Sequence, residues 1–247
     1  MSIFFRSEFL LSDTKAFPWF HRGNVYFRGY YIIDGLFYSG DQALVKLLSC
    51  QNKDELIKLI ANLNGFFSII YATDEEIVIT TDRLRALPLF YTLENGKLLV
   101  SDSAVKLALA CPNRAINELA LTEFQITSLF VTGSKVLFES IYQVEAGQYV
   151  LTNLTTQECK AHFYYKYNHN ILSPTSREEK KAEFNRIYYD EVGQGLVSSL
   201  KGRMAVVPLS GGADSRMVVS MLKHAGYENV FCFTYIIGRR CHGVFFR

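Results

Sequence analysis

Six consecutive residues, Ser210-Gly211-Gly212-Ala213-Asp214-Ser215, set two glycines and three small polar side chains between two apolar runs. The run before them, "MAVVPLS" at 204–210, is short and apolar. The run after, "RMVVSMLKHAG" at 216–226, has helical spacing and ends on a glycine. Strand, glycine bend and helix in that order suit the holding of an anion. The first N–H groups of a helix have no intrahelical partner and carry the positive end of its dipole. Glycines let the main chain curl around a phosphate with no Cβ in the way. Ser210 and Ser215 add hydroxyl donors, and Arg216 adds charge just beyond. Asp214 repels phosphate, so it suits bracing the loop or reaching a magnesium ion. The expected ligands are ATP and Mg2+. The plain alternative is an ordinary turn with Asp214 or Ser215 as helix N-cap. A Walker loop is excluded, because no Gly-Lys-Ser/Thr follows, and so is a GxGxxG dinucleotide fingerprint.

The elements around the bend read as a βαβ unit. "NVFCFTY" at 229–235 is a second apolar strand, so a parallel sheet buried on both faces is expected. Residues 176–202 read as one long helix, with Ser176 and Glu179 forming a capping box and Gly193 and Gly195 weakening its middle. Upstream, the pattern changes. Residues 25–38 are aromatic and β-branched around Asp34-Gly35, which predicts a hairpin. Residues 41–61 predict two helices broken near Gln51-Asn52. "GFFSIIYA", "EIVITTD", "PLFYTL" and "KLLVSD" predict four strands of an antiparallel sheet. The stretches 103–110 and 116–130 read as helical, and 140–153 returns to strand through Ala146-Gly147. The polar stretch holding Pro174 reads as a linker, and the change of pattern near residue 175 predicts two domains.

Bulk properties narrow the function classes. Apolar residues make up 49% of the 247, enough for a sizeable core. A net charge of +2 argues against nucleic acid or an anionic membrane as partner. Five cysteines without a CxxC pair suggest reduced thiols, and no run of about 18 apolar residues predicts a membrane span. The expectation is a soluble, cytoplasmic protein. His162 and His169 have no carboxylates at ligand spacing, so no metal centre is expected there. Arg83 and Arg85, which follow Asp82, read as a structural ion pair or as lining of a cleft.

"LSGGADSR" resembles the SGGxDS loop of the N-type ATP pyrophosphatases, which adenylate a substrate and release pyrophosphate. "LNGFFSIIYATDEEIVITTDRLRALPLFY" at 63–91 and "QVEAGQYVL" at 143–151 are similar to the glutaminase domain of the glutamine-hydrolysing asparagine synthetases. The resemblance spans residues 25–237. It implies an α+β, Ntn-hydrolase-like glutaminase domain over 1–167 and a linker over 168–177. After these it implies the start of an α/β parallel-sheet domain of the adenine nucleotide α-hydrolase type over 178–237. The function implied is ATP-dependent amide formation on a small carboxylate, with glutamine or ammonia as donor. Ser210, Gly211, Gly212, Asp214 and Ser215 would hold the nucleotide.

The chain departs from that family in two places. Ser2 stands where the family has its nucleophilic cysteine, and Asp34-Gly35-Leu36 aligns with its Asn-Gly-Glu turn. No counterpart of its Gly-Ser-Asp segment is found. A degenerate glutaminase-like domain is therefore expected. Residues 238–247 carry no family pattern, which suggests truncation near Ile236 and an enzyme impaired on its own. Two alternatives stand beside this reading: a non-catalytic nucleotide-binding or scaffold fragment, and a Ser2 amidase acting without ATP.

Overall fold

The computed structural model describes residues 7–112, 115–169, 174–236 and 239–246. The chain divides into two compact units, one of Met1–Ile33 with Tyr38–Asn168, the other of Asp34–Phe37 with His169–Arg247.

Up to residue 168 the strands and helices follow in chain order, all of the first unit except the start of β4: β1 (Ser7–Leu10), β2 (Trp19–Arg22), β3 (Val25–Ile33), β4 (Leu36–Ser39), α1 (Gly40–Leu48), α2 (Lys53–Asn62), β5 (Asn64–Ala72), β6 (Glu76–Thr81), β7 (Phe90–Glu94), β8 (Lys97–Ser101), α3 (Ala104–Ala110), α4 (Glu118–Thr127), β9 (Tyr142–Gln143), β10 (Gln148–Asn153) and β11 (Glu158–Phe163). They build two sheets. One runs β11-β10-β6-β5-β3-β2 with β4 added on β3; the other runs β1-β8-β7-β9. All pairings with a described register are antiparallel except β1 with β8, which is parallel.

Period-two alternation explains the layering. Phe67, Ile69 and Tyr71 of β5 face Leu44 and Leu47 of α1 and Leu56 and Ile60 of α2. Their neighbours Ile70 and Ala72 face the other way, against Leu89 and against Tyr91, Leu98 and Val100 of the second sheet. Leu99 of β8 alternates outward once more, onto Leu107 and Ala108 of α3. The unit is thus four layers deep: helices, sheet, sheet, helix. Asn52 accepts from the N–H groups of Asp54 and Glu55, which opens α2 where the expected break lies. The four strands expected in one antiparallel sheet fall instead into two sheets. Between β6 and β7 the chain turns through Arg85 at φ +53°, and this bend carries β7 and β8 off the first sheet.

The second unit contains α5 (Arg177–Asn185), a π-helical segment (Arg186–Gly193), α6 (Gln194–Leu200), β12 (Ala205–Pro208), α7 (Ala213–His224), β13 (Val230–Ile236) and β14 (Arg239–Phe246). The expected capping box is present: the Ser176 hydroxyl accepts from Glu179 N, and the Glu179 carboxylate accepts from Ser176 N. The expected single α-helix is broken in register rather than in direction, through the π segment ending at Gly193. β12 and β13 pair in parallel, with Ala205 opposite Val230 and Val207 opposite Cys232. These four residues are buried with Leu222 under partly buried side chains of α6 and α7. The expectation of a sheet covered on both faces is not met, because Val206, on the opposite face of β12, is 56% exposed. The stretch that shows no pattern in sequence forms β14, antiparallel to β13. Among the described residues, no helix is long and apolar enough to cross a membrane.

Candidate functional site

The glycine bend lies in the second unit, between β12 and α7. Leu209 N donates to Phe233 O, so the chain stays in the sheet until the residue before Ser210. Helix α7 then begins at Ala213, with Gly212 as N-cap at φ −77° and ψ 167°, and no side chain caps it. The alternative of Asp214 or Ser215 as N-cap is therefore overturned. Both lie inside the first turn, two and three residues beyond the cap position. The hydroxyls tie the bend together instead. Ser210 N donates to Ser215 Oγ at 3.2 Å, Gly212 N donates to Ser210 Oγ at 3.2 Å, and the two hydroxyls are 3.3 Å apart. Arg216 Nε donates to Gly212 O at 3.1 Å, which folds the guanidinium back toward the bend.

These residues fit a phosphate group. The first turn of α7 carries N–H groups without a side-chain cap. A Cβ built on Gly211 meets nothing within 4 Å, so the approach to the bend is open. For magnesium the protein supplies little: Asp214 is the acidic residue of the first turn. Among the described residues, no group of three or more His, Cys, Asp or Glu could hold a metal ion.

A second constellation, in the first unit, surrounds the Asp82-Arg83-Leu84-Arg85 turn. Asp82 is 1% exposed. Its carboxylate accepts from the backbone N–H groups of Leu84 at 2.9 Å, Ala86 at 3.0 Å and Phe67 at 3.3 Å. Its carbonyl accepts from Gly147 N at 3.1 Å. One buried residue thus joins β5 and the turn after β6 through its carboxylate, and the entry to β10 through its carbonyl. The ion-pair reading of Arg83 and Arg85 is corrected, since both guanidiniums reach neutral oxygens. Arg83 donates to Asn64 Oδ1 and Ala61 O, each at 2.8 Å, and lies over the Tyr165 ring. Arg85 donates to Gln143 Oε1, whose amide in turn donates to Gly133 O at 2.5 Å. Burial pushes the Arg85 pKa down, against a smaller opposing effect of Glu145. Burial likewise pushes the Tyr164 hydroxyl up while it donates to Thr81 O at 2.7 Å.

Asp34 and Gly35, both at positive φ, close the β3–β4 hairpin as expected. Leu36, in the position of the family's glutamate, is 59% exposed. Ser2 lies outside the described residues.

Residues 47–165 match the family described as a glutamine amidotransferase domain. The match covers just under half of the chain and falls within the first unit. No curated protein matches the chain. Among solved structures, the chain is similar to the allosteric regulatory enzyme of purine biosynthesis at 10% identity, over 84% of this chain and 45% of that one, with a TM-score of 0.34. It is also similar to the glutamine phosphoribosylpyrophosphate amidotransferase from B. subtilis, complexed with ADP and GMP. There the identity is 13%, over 89% of this chain and 49% of that one, with a TM-score of 0.33. The chain spans about half the length of those two structures.

Two groupings escape the sequence reading. Asp102, Arg28, Trp19 and Ser12 meet in a buried polar cluster, although they come from four separated segments. Phe184, Tyr188 and Tyr189 line a cleft against Arg216, Met217 and Ser220 of α7. For the second there is a signal: three aromatic residues within six positions of an otherwise charged helix.

Proposed function

We propose that the chain belongs to an ATP-dependent amidotransferase of the asparagine synthetase type. In this reading the glutamine amidotransferase domain serves the donor side and the bend 210–215 holds ATP. The observation that carries it is the uncapped start of α7 behind Gly211-Gly212, in the same chain as the amidotransferase match. A carboxylate oxygen of the acceptor attacks the α-phosphorus of ATP, and pyrophosphate leaves with the electron pair of the broken P–O bond. Ammonia then attacks the acyl carbon, AMP leaves with the C–O pair, and the nitrogen gives up a proton to solvent. The free N–H groups of α7 and the Ser210 and Ser215 hydroxyls stabilise the charge that moves onto the leaving phosphates. Magnesium, when bound, neutralises phosphate charge, with Asp214 as the residue to hold it. Ser2 takes the nucleophile position on the donor side. A hydroxyl is a far weaker nucleophile than a thiolate, so free ammonia is the better nitrogen source.

Gly211→Ala tests the bend. The added Cβ meets no protein atom within 4 Å, so the variant keeps the wild-type melting temperature. It does stand where a phosphate must approach, and titration calorimetry with Mg-ATP is expected to show affinity reduced at least about tenfold, or about 1.4 kcal/mol. No heat from the wild-type chain, or equal affinity in the variant, would refute the assignment. ATP–pyrophosphate exchange with a panel of carboxylic acids separates the ligase from the scaffold reading. Exchange supports the ligase; nucleotide binding without exchange supports the scaffold.

A further inference from the structure

Beside the bend lies a cleft of about 440 Å³, within the range of small-molecule pockets. One wall is α7, through Arg216, Met217 and Ser220; the other is the end of α5 and the π-helical segment, through Phe184, Tyr188 and Tyr189. The π register explains how two successive tyrosines both face the cleft, and such segments recur at functional sites. The rings form an ordered surface. Phe184 and Tyr188 stack at 5.5 Å with an interplanar angle of 11°, and Tyr189 meets Tyr188 edge-on at 4.7 Å. Tyr189 packs on His224 at 4.3 Å and its hydroxyl lies 3.2 Å from Ser220 Oγ, yet Phe184 remains 56% exposed and Met217 38%, so part of this wall is open.

The polar groups of the cleft are as telling as its rings. The Tyr188 hydroxyl is shielded from solvent and has no hydrogen-bond partner. Arg216 uses Nε on the Gly212 carbonyl and leaves both Nη groups without an acceptor among the described residues. No carboxylate lines the cleft. Stacked rings, one unpaired guanidinium at the end nearest the bend and no opposing charge match a planar aromatic body bearing an anion.

We propose that this cleft seats the acceptor, and that the acceptor is an aromatic carboxylic acid rather than a small aliphatic one. The ring lies along Phe184 and Tyr188, and the carboxylate pairs with Arg216. The role as acceptor rests on the bend being the nucleotide site, since Arg216 holds the acid one helical turn from it. A free aspartate would leave the ring surface bare and the cleft largely unfilled.

The test is calorimetry on the full chain with naphthalene-2-carboxylate, naphthalene-2-methanol, cyclohexanecarboxylate and aspartate, each with and without Mg-ATP. The aromatic acid is expected to bind at least tenfold more tightly than the other three, with its affinity undiminished by Mg-ATP. Arg216→Gln, at an exposed position, is expected to erase the preference for acid over alcohol. Arg216→Lys should keep part of that preference, and Phe184→Ala should weaken acid and alcohol alike. Melting curves confirm that the variants fold. Equal binding of the alcohol or of aspartate would overturn the proposal, as would an Arg216→Gln variant that keeps its preference. Competition by Mg-ATP would also overturn it, because the base of the nucleotide would then fill the cleft. Binding of the aromatic acid without any heat from Mg-ATP would refute the nucleotide site and leave the cleft assigned. Heat from Mg-ATP with none from the aromatic acid would refute the cleft alone.

Discussion

Asp102→Asn should unfold the first unit far more readily than its size suggests. The Asp102 side chain is 1% exposed and its partner Arg28 11%, with Arg28 Nη1 donating to the carboxylate at 2.7 Å. The same carboxylate accepts from Ser12 Oγ at 2.7 Å, Ser12 N at 3.0 Å and Trp19 Nε1 at 3.0 Å. An amide of the same shape loses the charge and turns one acceptor into a donor aimed at donors. Removing one partner of a buried pair costs about 3–5 kcal/mol, a large share of a typical total of about 5–15 kcal/mol. At a urea slope of about 2 kcal/mol/M, the midpoint should fall by about 2 M. Trp19 is the single tryptophan of the chain and lies in the cluster, so its fluorescence reports the transition directly. Asp102→Asn combined with Arg28→Met should be less damaging than Asp102→Asn alone, since the stranded charge is gone. Burial pushes the Asp102 carboxyl up, but the hydrogen bonds from Trp19 and Ser12 and the charge of Arg28 outweigh it, and the pKa ends below its usual value. A depressed pKa means stability that is full above the unfolded value near about 3.9 and lost as pH falls through the folded one. The gap between wild type and variant should therefore hold from neutral pH to about pH 5 and narrow as pH falls below about 4. A midpoint shift worth under about 1 kcal/mol, or a gap that does not narrow in acid, would refute this account of the cluster.

Gly29→Ala should abolish soluble expression of the first unit or lower its stability by at least about 3 kcal/mol, read by circular dichroism. Gly29 sits at φ +103°, and a Cβ there would lie 2.0 Å from Phe66 O on the neighbouring strand. Burial raises the thiol pKa of Cys50, Cys111, Cys159 and Cys232 alike. Thiolates at these positions are therefore scarce at neutral pH, and mass spectrometry should find iodoacetamide modifying them slowly in native protein and fast after denaturation.

Local grammar was legible in the sequence where cause and effect lie within a few residues. The break between α1 and α2, the capping box at Ser176 and the turn at Asp34-Gly35 all depend on near neighbours. What the sequence does not display is which strands share a sheet. β5, β6, β7 and β8 look alike, and nothing in their patterns marks the division into two layers, which falls at the turn holding the left-handed Arg85. β1 was equally hidden, because it pairs in parallel with β8, about ninety residues away. The π register of 186–193 leaves no mark either, since apolar residues three to five apart serve both helix types. At the site, the glycine bend was visible as a motif. The aromatic cleft was not, because a helix with Phe184, Tyr188 and Tyr189 reads as core until the exposure of Phe184 is known.

The two buried carboxylates of the first unit and the glycine bend of the second differ in how far their hydrogen-bonding groups are filled, and this difference separates scaffold from site. In the first unit the carboxylates are well filled, although Arg28 Nε and Arg83 Nε are buried without a partner among the described residues. Asp82 meets backbone donors from two elements, Asp102 meets three partner residues, and Arg83 fills both Nη groups with neutral oxygens. Groups so occupied hold a structure in place and have little left to offer a ligand. At the bend of the second unit the balance is reversed. The first turn of α7 has no side-chain cap, Gly211 faces open space, and the Nη groups of Arg216 have no acceptor among the described residues. A donor set held by its own hydroxyl cross-links yet still unfilled is preorganised for an anion, since little rearrangement is needed when one arrives. If that logic holds, removing the cross-link should hurt binding more than stability. Ser215→Ala deletes the acceptor of Ser210 N at a half-buried position and leaves no large cavity, so its melting temperature should barely move while its affinity for Mg-ATP falls. Equal affinity would mean that the bend is rigid without the hydroxyl, and that its unfilled donors reflect exposure to water alone.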